Sequence, residues 1–485
     1  MSPYTLLLFV AGYFILLLIV AWYTSKNSNN ESFFIGNKNS NWMLVAFGMI
    51  GTSLSGVTFV SVPGGVGGEK FAYFQIVIGY LIGYIIVAYV LLPLYYRLNL
   101  TSIYSYLRSR LGISSYKTGA SFFILSRTLG ATARLYLVVK ILQDAILSQL
   151  GIPFWATTII ILIMILVYTY EGGVKTIVFT DTLQTTFMLT GLVVCTIYIL
   201  HAMNMNPGTA FTAMNEKGYS KIFFSDPMSK LFFVKQIIAG IFITVTMTGM
   251  DQEMMQKTIS VKRLGDSQKN IVTLSVIMVF VILLFLFLGG LLHLYGIQQG
   301  VTATGDKLFP EIALKHMPPL VSVIFIVALI SALFPSADGA ITALTSSVCI
   351  DIIGIQRRND IDEDQKKKLR RRIHLAVAFI FLLFVLLFYQ INNPSMIGVI
   401  LKVAAYTYGP LLGLFAFGII TKRNVQDKLV PVVCVAAPII CFFIDKYQKE
   451  LFGNFQIGSE LLILNGLLTL TGLLMISKKA ELQAA

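Results

Sequence analysis

The chain of 485 residues is 56% hydrophobic and only 12% charged, about half the charge of an ordinary soluble domain. With a mean hydropathy of +0.78, most of its length has to lie in lipid, which excludes a soluble enzyme and a scaffold built on large folded loops. The net charge of +14 falls in alternate loops rather than on one face, so it speaks of membrane orientation and not of nucleic acid.

Thirteen apolar segments follow in chain order, near 3–23, 42–66, 71–96, 117–150, 153–170, 178–203, 232–256, 270–295, 319–353, 372–389, 394–420, 428–444 and 459–476. Only helices satisfy their backbone groups within one segment in hydrocarbon, so the fold class is an all-α polytopic membrane bundle. The first run, Pro3 to Tyr23, is too long for a signal h-region and lacks a basic n-region, so it reads as a retained span. The second contains Gly48, Gly51, Thr52, Ser53, Ser55 and Gly56, then Pro63-Gly64-Gly65. The seventh contains Gly240, Thr244, Thr246, Thr248 and Gly249. Such small and hydroxyl residues also serve close helix packing. Two interrupted spans five apart point to an inverted-repeat carrier, with repeats about 42–203 and 232–420, an extra helix at 3–23 and additional helices at 428–476.

Lys and Arg are dense in one set of loops: Arg97, Arg108, Arg110, Lys257, Lys262, Arg263, Lys269, the run Gln356 to Arg372, Lys422, Arg423, Lys478 and Lys479. The opposite loops hold Lys70, Lys217, Lys221, Lys230, Lys307, Lys315, Lys446 and Lys449. The dense side is cytoplasmic by the positive-inside rule, so in an inner membrane the N-terminus is expected outside and the C-terminus inside. The Gln356–Arg372 run reads as a solvated cytoplasmic loop. Cys195, Cys349, Cys434 and Cys441 all sit in apolar runs without a CxxC pair, which reads as buried small residues. The four histidines, His201, His293, His316 and His374, are scattered, and neither HExxH nor GxSxG occurs, so no enzyme and no organic cofactor is expected.

Several stretches resemble one family. They are Glu31-Ser-Phe-Phe-Ile-Gly36, Thr101 to Gly112, Tyr168-Thr-Tyr-Glu-Gly-Gly-Val-Lys-Thr-Ile-Val-Phe-Thr-Asp-Thr-Leu-Gln184, Gly249-Met-Asp-Gln252 with Gln256-Lys257, and Tyr408-Gly-Pro-Leu-Leu-Gly-Leu-Phe415. In this order and at these topological places they resemble the sodium:solute symporter family. The resemblance implies a LeuT-type 5+5 inverted-repeat bundle with about 13 transmembrane helices. It also implies sodium-coupled symport of a small organic solute (a sugar, sialic acid or an organic anion) by alternating access, with sodium, solute and lipid as the partners.

By the same resemblance, the main sodium site joins Gly51 and Leu54 on the second span with Ala332, Pro335 and Ser336 on the ninth. Pro335 stands where the family often has a hydroxyl. Its missing N–H frees the carbonyl of Ser331 instead. Asp181 and Asp338 form a candidate second cation site, since carboxylates at membrane depth need partners. They could equally share a proton, or Asp181 could cap the start of the sixth span with Thr180. Substrate contacts implied are Thr58, Phe59, Gln75, Thr244, Met247 and Thr248. Buried cations are the unusual feature: Arg127 and Arg134, seven apart and on one helix face, Lys140, and Lys402. Of these, Arg134 and Lys402 are the candidates for a solute carboxylate. The other reading open to each cation is snorkelling or a salt bridge to Asp144 or another acid. Asp251 and Glu253 read as interfacial. A proton-coupled carrier of the same fold and a proline-like amino-acid symporter remain the rival functions.

Overall fold

The computed structural model describes residues 3–25, 30–358, 360–391 and 396–478; Pro394, the expected start of the eleventh span, and Lys479 lie outside them. In chain order the main helices are α1 (Pro3–Thr24), α2 (Trp42–Ser53), α3 (Gly56–Glu69), α4 (Tyr73–Arg97), α5 (Ile113–Leu150), α6 (Phe154–Tyr170), α7 (Gly173–Ala202), α8 (Phe233–Gly249) and α9 (Gln252–Thr258). They continue with α10 (Leu264–Gln298), α11 (Pro319–Ile353), α12 (Glu363–Ile391), α13 (Met396–Thr407), α14 (Gly409–Ile420), α15 (Asp427–Lys446) and α16 (Leu461–Met475). Eight of these are long and apolar enough to cross a membrane alone, and three bent pairs bring the spans to eleven. The shorter apolar helices α6 and α16 are needed to reach the thirteen segments read from the sequence.

Each break has a local cause. α2 and α3 meet at 55°, where Leu54 leaves the helix and Ser55 takes φ −4, ψ 165. The Gly-Thr-Ser-Leu-Ser-Gly sequence there is rich in poor helix formers. α8 and α9 meet at 68°, and Asp251 restarts the chain as an N-cap, its carboxylate accepting from the N–H of Glu253 at 2.9 Å and Met254 at 3.2 Å. α13 and α14 bend by 43° at Tyr408-Gly409-Pro410. α6 and α7 part at Gly173, whose φ of 53 and ψ of −146 suit glycine alone. The N-terminus of α7 is therefore eight residues before Asp181, which corrects the reading of Thr180-Asp181 as a helix cap.

α11 is the axis of the bundle, 83% buried over its apolar window, whereas α1, α12 and α15 are only 22%, 33% and 22% buried and face lipid. Along it run α6 and α7, with α2 and α5 beside them. The charged run after α11 is not a loop throughout, because α12 begins at Glu363 and buries Arg370 over the Phe33 ring at 4.2 Å. α4 and α8 cross in backbone contact at Gly79 and Gly240, where a β-carbon would collide with the carbonyl oxygens of Ile237 and Ile76. Gly79→Val is expected to force this crossing apart and sharply reduce the folded monodisperse fraction, read by size-exclusion chromatography in detergent; a normal profile would show that the crossing tolerates a side chain.

Candidate solute and ion sites

A central cavity of about 100 Å³ lies where the α2–α3 break meets α4, α5, α8, α10 and α13. Thr58, Arg134, Thr244, Met247 and Thr248 line it, together with Thr52, Ser53, Tyr84 and Arg127. The break exposes polar side chains to the cavity, and the α8 threonines face it across one helix side. Three expected contacts sit elsewhere. Phe59 is fully buried among Phe285, Phe309 and Phe325, with ring centroids 5.6, 5.3 and 5.9 Å away. Gln75 holds the 203–232 connection: its amide donates to the Leu231 carbonyl at 3.1 Å and accepts from the Phe224 N–H at 3.2 Å. Lys402 faces a second, wider cavity and pairs with Asp445 of α15 at 2.7 Å.

The two arginines of α5 share a face yet differ in their electrostatics. Arg127 pairs with Glu253 and lies 3.8 Å from Asp251. Arg134 has no hydrogen-bond or ion-pair partner among the described residues, and its guanidinium stands on the cavity wall. A guanidinium held there without a carboxylate is a ready bidentate donor for an anionic solute.

Beneath the cavity is a buried ionic chain that the sequence reading missed. Asp251 and Glu253 are 0% and 1% exposed, not interfacial, and Lys257, counted above among cytoplasmic loop charges, is 2% exposed. Their burial follows from the 68° bend, which turns α9 inward against α2, α7, α10 and α11, where Arg127 of α5 reaches it. Lys257 Nζ donates to Asp181 Oδ2 at 2.6 Å and Thr52 Oγ1 at 2.8 Å, and lies 3.7 Å from Glu253. Tyr408 donates to Asp251 at 2.6 Å, and Tyr168 donates to Asp338 at 2.7 Å. The Gln-x-x-x-Gln-Lys pattern from Gln252 to Lys257 was the available signal, since a Lys four positions after Glu253 shares its helix face.

The α2 break lies against Pro335 of α11. A β-carbon on Gly51 would stand 3.4 Å from Pro335 Cγ, and one on Gly56 would stand 3.6 Å from Leu333 N. Gly51 N–H is tied to Thr185 Oγ1 at 3.1 Å. Ser336 Oγ donates to the Leu333 carbonyl at 2.9 Å, so its lone pairs stay free to meet a cation. Leu54, Ala332 and Ser336 are all buried at this junction.

The wider cavity, about 900 Å³, opens among Glu69, Lys70, Lys230, His293, Lys402 and Asp445. Tyr73, Ile397 and Leu401 line both this cavity and the central one. Its floor includes Asp306, whose carboxylate accepts from the Met396 N–H at 3.1 Å at the start of α13. Burial pushes that carboxyl above its ordinary range. At the other end of α4, roughly 33 Å away at 1.5 Å per residue, the break between α8 and α9 is sealed. Tyr95 donates to the Gly249 carbonyl at 2.8 Å and Tyr104 to the Met250 carbonyl at 2.9 Å. Gln252 bonds the Thr101 carbonyl and the Ile103 N–H, each at 3.0 Å. The wider cavity thus opens at one end of the bundle, and the hydrogen-bonded α8–α9 break lies toward the other.

Broken helices around a polar cavity inside a membrane bundle are the arrangement of a secondary carrier. Residues 33–427 match the model of the sodium:solute symporter family, and the chain belongs to that family. It is 22% identical to the sodium/sialic acid symporter SiaT of Proteus mirabilis, over 94% of this chain and 93% of that one. It is 25% identical to the sodium-coupled monocarboxylate transporter 1 of Mus musculus, over 81% of this chain and 64% of that one. A solved structure of a Na+-coupled sialic acid symporter, substrate-bound and outward-open, superposes with a TM-score of 0.83 at 19% identity, covering 98% of this chain and 99% of that one. The fold is a LeuT-type helical bundle, and the protein is a multi-pass membrane symporter whose coupling ion is sodium.

Proposed function

We propose that the protein carries a small organic carboxylate inward across the bacterial inner membrane with sodium. Arg134 carries this reading: it is the guanidinium on the wall of the central cavity that no acid neutralises among the described residues. Both relatives named above are symporters of solutes that bear a carboxylate, which supports the same chemistry here. The cavity volume of about 100 Å³ is below the several hundred Å³ of sites for drug-sized ligands. A compact carboxylate fits this state, and a bulkier one requires the walls to part.

In the proposed cycle the open end is the outer face, with the N-terminus outside and the C-terminus inside, and the repeats run about 42–203 and 232–420. Sodium enters through the vestibule and binds Gly51, Leu54, Ala332, Pro335 and Ser336, ordering the α2–α3 break. Ser53 and Thr52 of that break also line the solute cavity, so ion binding shapes the wall the solute meets. The solute carboxylate docks on Arg134, with Thr58, Thr244 and Thr248 as hydrogen-bond partners. Inward opening then parts the tyrosine and glutamine seal around α9. Each sodium moving through 100 mV contributes about 2.3 kcal/mol, about 50-fold in solute concentration.

Uptake by proteoliposomes of labelled monocarboxylates, sialic acid, sugars and amino acids, with sodium inward or potassium in its place, tests the proposal. Sodium-dependent accumulation of a carboxylate is the expected result, whereas accumulation only of neutral solutes would sink the carboxylate reading. Ser336→Ala is expected to raise the half-saturating sodium concentration about tenfold, with melting temperature little changed. Unaltered sodium affinity would remove Ser336 from the ion site.

A further inference from the structure

The position that Asp181 and Asp338 frame already holds a positive charge. The Lys257 ammonium sits 2.6 Å from Asp181 Oδ2 and 2.8 Å from Thr52 Oγ1. It also stands 3.0 Å from where a β-carbon on Gly339 would be, so it touches α11 beside Asp338. A β-carbon on Gly339 would meet Glu253 Oε1 first and the ammonium next, so the bare glycine admits the Glu253–Lys257 pair. Three helices, α2, α7 and α11, therefore converge on the ammonium as they would on a bound ion. Lysine suits this role in a way arginine does not, being a compact point charge with three donors rather than a planar fork.

We infer that Lys257 is the resident counter-ion of the second cation position, so that the transporter loads one sodium per cycle, at the α2–α11 junction, and not two. The inference rests on the sodium site proposed above. A second sodium would have to share Asp181 with a like charge in a dry interior, or expel Lys257 from its partners. Each carboxylate oxygen of Asp338 accepts one hydrogen bond, from the Tyr168 hydroxyl at 2.7 Å and from the N–H of its neighbour Gly339 at 2.5 Å. Asp181 Oδ1, by contrast, is buried with no hydrogen-bond partner among the described residues. That oxygen is the ligand a vacated position would offer to metal.

Counting radiosodium bound per chain in detergent at saturating sodium, with no solute present, decides the matter. One ion for the native protein and two for Lys257→Gln is the expected result, with Asp181→Asn added to Lys257→Gln returning the count to one. Two ions in the native protein, or one in Lys257→Gln, would overturn the inference. If Lys257→Gln does not fold, the native count decides alone. Because solute is absent, an error in the substrate class leaves the counts untouched, and a native count of zero would sink this inference together with the α2–α11 sodium site.

Discussion

Replacing Arg134 by Gln is expected to raise the half-saturating concentration of the carboxylate solute by about 30-fold or more. Truncating one partner of a desolvated, hydrogen-bonded charge pair costs about 2 kcal/mol at the low end, and 1.4 kcal/mol is tenfold. The loss falls on the solute and not on the fold, because no buried acid depends on Arg134 among the described residues. The melting temperature in detergent is accordingly expected to change little. Arg134→Lys restores the charge but not the two-pronged geometry, so it is expected to recover part of the affinity. Initial uptake rates over a range of solute concentrations provide the check. An unchanged half-saturation in Arg134→Gln would reduce Arg134 to a wall residue and remove the main support for a carboxylate substrate.

The other arginine on the same helix face is expected to behave in the opposite way. Arg127→Met removes the guanidinium from Glu253 and Asp251, which are 1% and 0% exposed, and leaves Glu253, among the described residues, only the Lys257 ammonium at 3.7 Å as an ionic partner. Breaking a buried pair from one side costs about 3–5 kcal/mol, because an uncompensated charge is left in a dry interior. A fall of several degrees in melting temperature and poor recovery of folded protein are expected. Adding Glu253→Gln to Arg127→Met removes part of the orphaned charge and is expected to return much of the lost stability. Thermal melting of the three proteins in detergent gives the comparison, and equal melting of native protein and Arg127→Met would mean that the network contributes nothing to the fold. Transport is expected to suffer in both variants, since α9 carries the seal of the closed end.

These two arginines also mark how far the sequence alone could be read. Their spacing of seven placed them on one face of α5, and the structure agrees. Spacing held no information on which of them meets an acid, because the acids come from α9, well over a hundred residues later, and reach Arg127 only through the 68° bend between α8 and α9. The same bend explains the misreading of Asp251, Glu253 and Lys257. A straight seventh span would have ended at the membrane surface and left them in water. Thr58, Thr244, Met247 and Thr248, which the family resemblance implied as solute contacts, do line the central cavity. Phe59 does not, since an aromatic beside a break packs inward or faces a cavity according to what stands opposite, here Phe285, Phe309 and Phe325.

By itself, then, the sequence determined the membrane class, the apolar helices, two of the three places where spans break and the family resemblance, because hydrocarbon forces local backbone satisfaction and small polar residues record where that is interrupted. Only the tertiary structure decided which charges neutralise one another, that Lys402 belongs to the vestibule, and that Lys257 stands between Asp181, Thr52 and α11. Those outcomes depend on the angles between helices far apart in the chain, and electrostatic energy at a few ångströms is set by those angles.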